Sequence, residues 1–297
     1  MSSKGFNKNI LKEKIGLAGC GNMGLPMLNS MVLKNIDVKG YDIESKKFLS
    51  VSGSNFEGCK KSFLADRNII ISVVRDEEDT LELCQGDDGL FEQQSNKIFI
   101  ISSTLSPRFL VDLKLRAPKN ITVIDAPMSG ATIAAKEARL TFMVGCEKKL
   151  FVYIAPLLGL MGKQINHIGN YGAGMMVKVL NNFITASSVV SVRHVLHQAQ
   201  KFELDVEALF KSIDTSSGQT WFGTNRENIE WFKESFESNN TIGILTKDVS
   251  AYVDAFENEI DKDNFVSGEL SKSILKALRN MPETKLTKLG HLGNFYE

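Results

Sequence analysis

The sequence predicts an α/β protein: a doubly wound, mainly parallel sheet followed by an all-α domain, joined by a long interdomain helix. Three observations predict it. Short β-branched runs alternate with amphipathic stretches from residue 14 to about 145, an unbroken helical pattern then runs from about Ala173 to Phe202, and no further strand-like run follows. Strands separated by helices imply crossover connections, hence parallel pairing. With 297 residues, 43% of them hydrophobic, the chain is long enough for two domains or one large one.

The elements follow in order. "KIGLAG" reads as the first strand and "LPMLNSMVL" as the first helix, with glycines at the turn between them. "DVKGYD", "NIIISVV", "KIFIISS", "ITVIDAP" and "LTFMVG" read as the following strands, and the rhythm stops after "HIGNYGAG". The helix from Ala173 would span roughly 45 Å at about 1.5 Å per residue. The division into domains is placed between residues 171 and 172, giving 1–171 and 172–297. "FESNNTIG" reads as a loop from its Asn-Asn and Gly punctuation, and the tail "GHLGNFYE" carries no reading of its own.

Composition narrows the function. Lys+Arg and Asp+Glu are equal at 35 each, so no global field favours nucleic acid or an anionic membrane, and a small-molecule partner is expected. Cys20, Cys59, Cys84 and Cys146 are widely spaced without a C-x-x-C pair, which argues against a zinc ribbon or a disulfide framework and for a reducing cytoplasm. The N-terminal "MSSKGFNKNILKEK" lacks an apolar core of signal length, and the longest apolar helix carries Lys178, Asn181 and Asn182 in its interior. No membrane span and no metal site are expected.

Gly19, Gly21 and Gly24 form G-x-G-x-x-G between a strand and a helix. The first permits the tight turn, the second lets a pyrophosphate approach the backbone, and the third lets helix pack on strand. Alone the pattern also fits a ligand-free turn. Here it opens the first strand-helix unit, and Asp42 stands about 20 residues further on, where an acid grips the adenosine ribose diol. This predicts a Rossmann-type dinucleotide-binding domain. Asp42 and Glu44 would repel a 2′-phosphate and no arginine follows to neutralise one, so NAD is expected over NADP; Lys46 and Lys47 read as a solvated helix start.

Ligands collect at the carboxyl ends of strands in such a sheet, so Ser103, Thr104, Ser129 and Gly130 are candidates there. Each is also an ordinary turn or N-cap residue type. Lys178 and Asn182 lie at i and i+4, one above the other on one helix face. Lys178 is flanked by Met175, Met176, Val177, Val179 and Leu180, and its alternative is a stem on apolar surface with its head in water. In a dehydrogenase an ammonium protonates the carbonyl oxygen as hydride arrives, and a neutral amine removes the hydroxyl proton as hydride leaves. Burial and a nearby nicotinamide cation would both lower its pKa. His194 and His197 have a metal-compatible spacing without further ligands, and His167 reads equally as a partner of backbone carbonyls.

"GCGNMGLPM", "DAPMSGATIAAKEARLTFMVG", "GNYGAGMMVKVLNN" and "LTKDV", in that order, resemble the β-hydroxyacid dehydrogenases, the superfamily of 3-hydroxyisobutyrate dehydrogenase and tartronate semialdehyde reductase. The resemblance covers about residues 14 to 255. It implies that Lys178 is the catalytic acid/base and Asn182 a substrate contact, and that Ser129, Gly130 and Ala131 lie in the segment holding the substrate carboxylate. It implies further that Asn22 and Met23 belong to the dinucleotide turn with Gly19, Gly21 and Gly24, that Asp42 meets the ribose, and that Val74 and Thr104 lie against the cofactor. Lys247 would sit on a helix that closes over it. Where the family reads S-G-G-x-x-G-A-x-x-G-x-L, this chain has Ala131, Ala134 and Ala138 in place of three glycines, which narrows backbone freedom or the pocket. Arg75 stands where a proline is common and reads as a solvated loop residue or a contact to an acidic substrate. Trp221 and Phe222 read as pocket wall or dimer contacts.

The resulting expectation is an NAD-dependent oxidoreductase that interconverts a short β-hydroxy acid and its semialdehyde, acting on a small carboxylic acid as a homodimer or homotetramer. The alternatives are an imine reductase of the same fold, against which the lysine argues, and a catalytically silent dinucleotide-binding module.

Overall fold

The computed structural model describes residues 9–44, 55–257 and 268–284. Lys46, Lys47, His291 and the tail "GHLGNFYE" lie outside the described residues. The chain divides into two compact units, Met1–Lys178 and Val179–Glu297.

The first unit is built on β1 (Ile15–Ala18), β2 (Val38–Tyr41), β3 (Ile69–Ser72), β4 (Lys97–Ile101), β5 (Ile121–Asp125), β6 (Met128–Ser129), β7 (Leu140–Gly145) and β8 (Gly162–Gly169). β1 and β3 are buried at every position, as strands covered on both faces must be, and their sequences are accordingly continuous apolar runs. Helices α1 (Gly24–Val32), α2 (Lys60–Asp66), α3 (Glu77–Cys84), α4 (Pro107–Arg116), α5 (Ala131–Lys136) and α6 (Lys148–Leu158) alternate with them. The starts of α3 and α4 are written in local chemistry. Asp76 accepts from the Asp79 amide ahead of an acidic first turn, and Ser106 accepts from the Arg108 amide with Pro107 at the first helical position.

The strand order is β2-β1-β3-β4-β5-β7-β6, with β8 beside β7. β1 pairs in parallel with both β2 and β3, Ile15 standing opposite Val38 on one side and Ile69 on the other. The chain therefore reverses its direction of travel across the sheet at β1 and β3, and the crevice at their carboxyl ends is where such a sheet binds ligands. β7 runs antiparallel to β5 and β6 and parallel to β8. The sequence reading did not include β6 or β8. β6 has two residues, and β8 alternates exposed and half-buried positions along most of its length, so it lacks the apolar run that marked the others.

α7 (Ala173–Lys201) runs without interruption through the division between the two compact units, which falls after Lys178. Its first turns belong with the sheet because the Gly172 and Met175 amides donate to Asp125 at the end of β5. Gly174 lies inside the helix, where an added Cβ would come 2.2 Å from the Met143 carbonyl oxygen. α7 is long and apolar enough to cross a membrane by length and composition, with a mean hydropathy of 1.3 in its richest window.

The second unit holds the rest of α7 with α8 (Val206–Ile213), α9 (Trp221–Thr224), α10 (Thr241–Phe256) and α11 (Glu269–Arg279). Ala186, Val189, Val192 and Leu196 form one stripe of α7 in a core with Phe210, Phe222, Phe232, Val249 and Leu278. Buried Arg193 on α7 donates to the carbonyls of Phe232, Glu234 and Pro282. The loop read at "FESNNTIG" ends at Asn240, whose side chain accepts from Gly243 and caps α10.

Candidate active site

The turn after β1 shows three different demands at its three glycines. Gly19 has φ +91°, and a Cβ there would strike the Val73 backbone at 2.6 Å. A Cβ on Gly24 would lie 1.8 Å from the Gly19 carbonyl oxygen, so helix and turn meet backbone to backbone. At Gly21 an added Cβ would meet nothing within 4 Å among the described residues. The protein does not need glycine there for its own packing, and the open face is what a close-lying phosphate requires. Asn22 is exposed and Met23 half-buried at the start of α1.

Asp42, just beyond β2, is buried, and its carboxylate is held against this turn: one oxygen accepts from the Cys20 amide at 2.7 Å and the other from the Glu44 amide at 2.9 Å. The acid thus stands beside the residue between the first two glycines. The loops after β3 and β4 are tied together next to it. Ser103 donates to the Val74 carbonyl at 2.7 Å, and Glu77 accepts from the Ser106 amide at 3.1 Å, which fixes half-buried Val74 and Thr104. Arg75 is exposed and paired with Asp76, as a solvated loop arginine would be.

Ser129 ends β6 and is followed by Gly130 at φ +138° and Ala131 at φ +54°. Ala138, after α5, has φ +51°. Two of the three alanines that stand where the family has glycine therefore occupy the left-handed region that favours glycine. The third, Ala134, fills the space beside Gly130, 2.6 Å from where a Cβ on that glycine would be.

Lys178 lies five residues into α7 and is buried, 8% exposed over the whole residue. The helix start is clamped within the same unit. Asp125, fully buried, accepts from the Gly172 and Met175 amides, each at 2.7 Å. The Leu105 amide donates to the Met175 sulfur, and the Tyr171 hydroxyl donates to the Leu110 carbonyl. Burial pushes the Asp125 carboxyl up to about 6, against the lowering by the amides it accepts from.

In the second unit, buried Asn182 donates through Nδ2 to Asp248 Oδ2 at 2.8 Å, and accepts at 3.2 Å from Asn181. This orients the Asn182 amide. Lys247, beside Asp248 on α10, is half-buried. His167 bonds the Cys146 carbonyl and packs on Phe151; His194 and His197 are exposed, and no group of three metal-ligating side chains occurs among the described residues. Phe222 stacks on Trp231 and Phe232 in the core, while Trp221 is exposed.

Residues 14–169 match the family model described as the NAD binding domain of 6-phosphogluconate dehydrogenase, and residues 172–280 match that described as NAD-binding of NADP-dependent 3-hydroxyisobutyrate dehydrogenase. The chain belongs to the β-hydroxyacid dehydrogenase superfamily. Among relatives of this superfamily, mitochondrial 3-hydroxyisobutyrate dehydrogenase of Drosophila melanogaster is 31% identical over 74% of this chain and 67% of its own length. The 2-(hydroxymethyl)glutarate dehydrogenase of Eubacterium barkeri is 29% identical over 70% of each chain. The solved 3-hydroxyisobutyrate dehydrogenase of Mycobacterium tuberculosis with L-serine shares the fold at a TM-score of 0.75, 23% identity, over 91% of this chain and 96% of its own.

A nicotinamide dinucleotide is the cofactor of a β-hydroxyacid dehydrogenase, and the residues present fit one: an open face at Gly21, an anchored acid at Asp42 and a turn at the reversal of strand order. Two residues that hold candidate site groups, one in each unit, escaped the sequence reading. Asp125 lies inside the quoted "ITVIDAP", and Asp248 inside "LTKDV", but their partners are 47 and 66 positions away. A carboxylate closing a strand that is otherwise apolar was the one available signal.

Proposed function

We propose that this β-hydroxyacid dehydrogenase uses NAD to interconvert a short β-hydroxy acid and its semialdehyde, with Lys178 as general acid/base. The observation that carries the reading is Lys178 itself, a buried amine on a helix start fixed to the carboxyl end of the sheet. The nicotinamide, when bound, accepts or supplies the hydride. In the oxidising direction, neutral Lys178 takes the proton from the hydroxyl oxygen while hydrogen leaves the carbon that bears this hydroxyl with the electron pair of its C–H bond, so that the C=O bond forms. In the reducing direction, the ammonium returns that proton to the carbonyl oxygen. The backbone at Ser129 and Gly130 would receive the substrate carboxylate, and Asn182 would bond the reacting oxygen. Asp42 would take the ribose hydroxyls; its buried negative charge opposes a 2′-phosphate and supports NAD. Both named dehydrogenase relatives favour a small carboxylic-acid substrate. Lys247 would close over the cofactor, and we propose a second copy of the chain as the protein partner.

The test is absorbance of the reduced cofactor with NAD and a panel of short 3-hydroxy acids. Turnover by the native chain and a loss of about 10²- to 10⁴-fold in Lys178→Ala are expected. Undiminished turnover in Lys178→Ala overturns the lysine's role. Cofactor binding without turnover of any acid indicates a silent module, and reduction of cyclic imines indicates the imine reductase alternative. Equal affinity for NADP would overturn the argument from Asp42.

A further inference from the structure

We propose that Asp125 is the positioning residue for Lys178: its buried carboxylate fastens the first turn of α7 to the end of β5 and so sets where the lysine side chain begins. The inference rests on the acid/base role proposed for Lys178.

Both oxygens of Asp125 are committed to this one helix start. One accepts from Gly172, immediately before the helix, and the other from Met175 in its first turn. The carboxyl occupies space that two glycines leave free. A Cβ on Gly145 would come 2.2 Å from one of its oxygens and a Cβ on Gly174 2.9 Å from the other. Gly172 turns into the helix at φ +94°, and its amide, ahead of the first turn, has no acceptor within the helix and needs one supplied from elsewhere. A carboxylate placed here also meets the positive end of a 29-residue helix. Lys178 follows Met175 by three residues, less than one turn, so a change of pitch or rotation at the anchored amides is passed to it directly. A displacement of about 1 Å at a reacting group can cost roughly 10²-fold in rate.

An alternative explanation is that Asp125 holds the fold together and the effect on Lys178 is incidental. Kinetics separate the two. Asp125→Asn keeps the shape but offers one acceptor oxygen to two amides. It is expected to lower kcat about tenfold or more while KM for NAD and the circular dichroism spectrum stay near those of the native protein. Added to Lys178→Ala, it should take nothing further from the residual turnover, since a residue acting through the lysine has no effect once the lysine is gone. Loss of NAD affinity in step with kcat, or an additive loss in the double variant, would show a general structural role and overturn the inference.

A second measurement needs no variant. The Gly172 and Met175 amides of the native protein should exchange slowly with deuterium, and rapid exchange at both would mean that they are not held. If Lys178→Ala retains full turnover, the functional reading has failed and this inference fails with it. If Lys178→Ala is inactive but Asp125→Asn matches native kcat, only the role of Asp125 is refuted.

Discussion

Ala138 holds φ +51° at the end of α5, where the Arg139 amide donates back to the Ala134 carbonyl at 2.8 Å. This is the helix-ending geometry that glycine suits, and an L-residue bears about 1–2 kcal/mol to adopt it. Glycine would relieve that strain at some expense from its freer unfolded chain. Ala138→Gly is therefore expected to raise stability by about 1 kcal/mol, read as a higher denaturant midpoint, and a lower midpoint would contradict the strain. The three alanines were visible in the sequence as departures from a glycine pattern, but the sign of φ at each was not. Lys178 and Asn182 were legible for a local reason, polar groups inside an apolar helix. Asp125 and Asp248 were not, because each matters through a partner distant along the chain.

At the scale of elements, α7 was legible nearly to the residue because its pattern is continuous and its neighbours are breaks. β8 was not, since a strand with one wet face and scattered polar residues has no apolar run to announce it. In the second unit, Leu180, Ile184 and Val195 on α7 and Phe202 just beyond its end are exposed by 43%, 66%, 41% and 50%, and the spacing of the first three puts them along one side of the helix. Exposed apolar side chains on one side of a helix are available for association, and the second copy proposed above as partner would cover them. The native chain is expected to sediment as a dimer or larger and Ile184→Glu as a monomer with unchanged helicity. A native monomer at micromolar concentration would rule this out.

At the scale of the molecule, two carboxyls, one buried and one in surface ion pairs, set opposite responses to pH. Asp125 is raised from 3.8 to about 6 by burial, so its contribution to stability is full below 3.8 and lost as pH rises through about 6. Asp66 is lowered to about 2 by its hydrogen bonds to Lys14 and Arg67, so its contribution is present above 3.8 and lost as pH falls through about 2. Other carboxylates titrate over the same range, so the difference between the native chain and Asp125→Asn isolates the first effect. The native chain should lose about 3 kcal/mol at most, relative to the variant, between pH 4 and 7. Parallel stability curves from denaturant titrations would show that Asp125 ionises as it does unfolded. Nothing in the composition announces this, because it depends on which of the 35 acidic residues is walled in.

Of the three glycines after β1, two are spoken for by neighbouring backbone, and the one at position 21 borders emptiness. A single methyl group introduced there would collide with no atom of the described residues, and the proposed cofactor is what it would be expected to meet. Chemistry at that position can therefore evict a visitor while leaving the house standing, a separation of vacancy from collapse that neither Gly19 nor Gly24 permits.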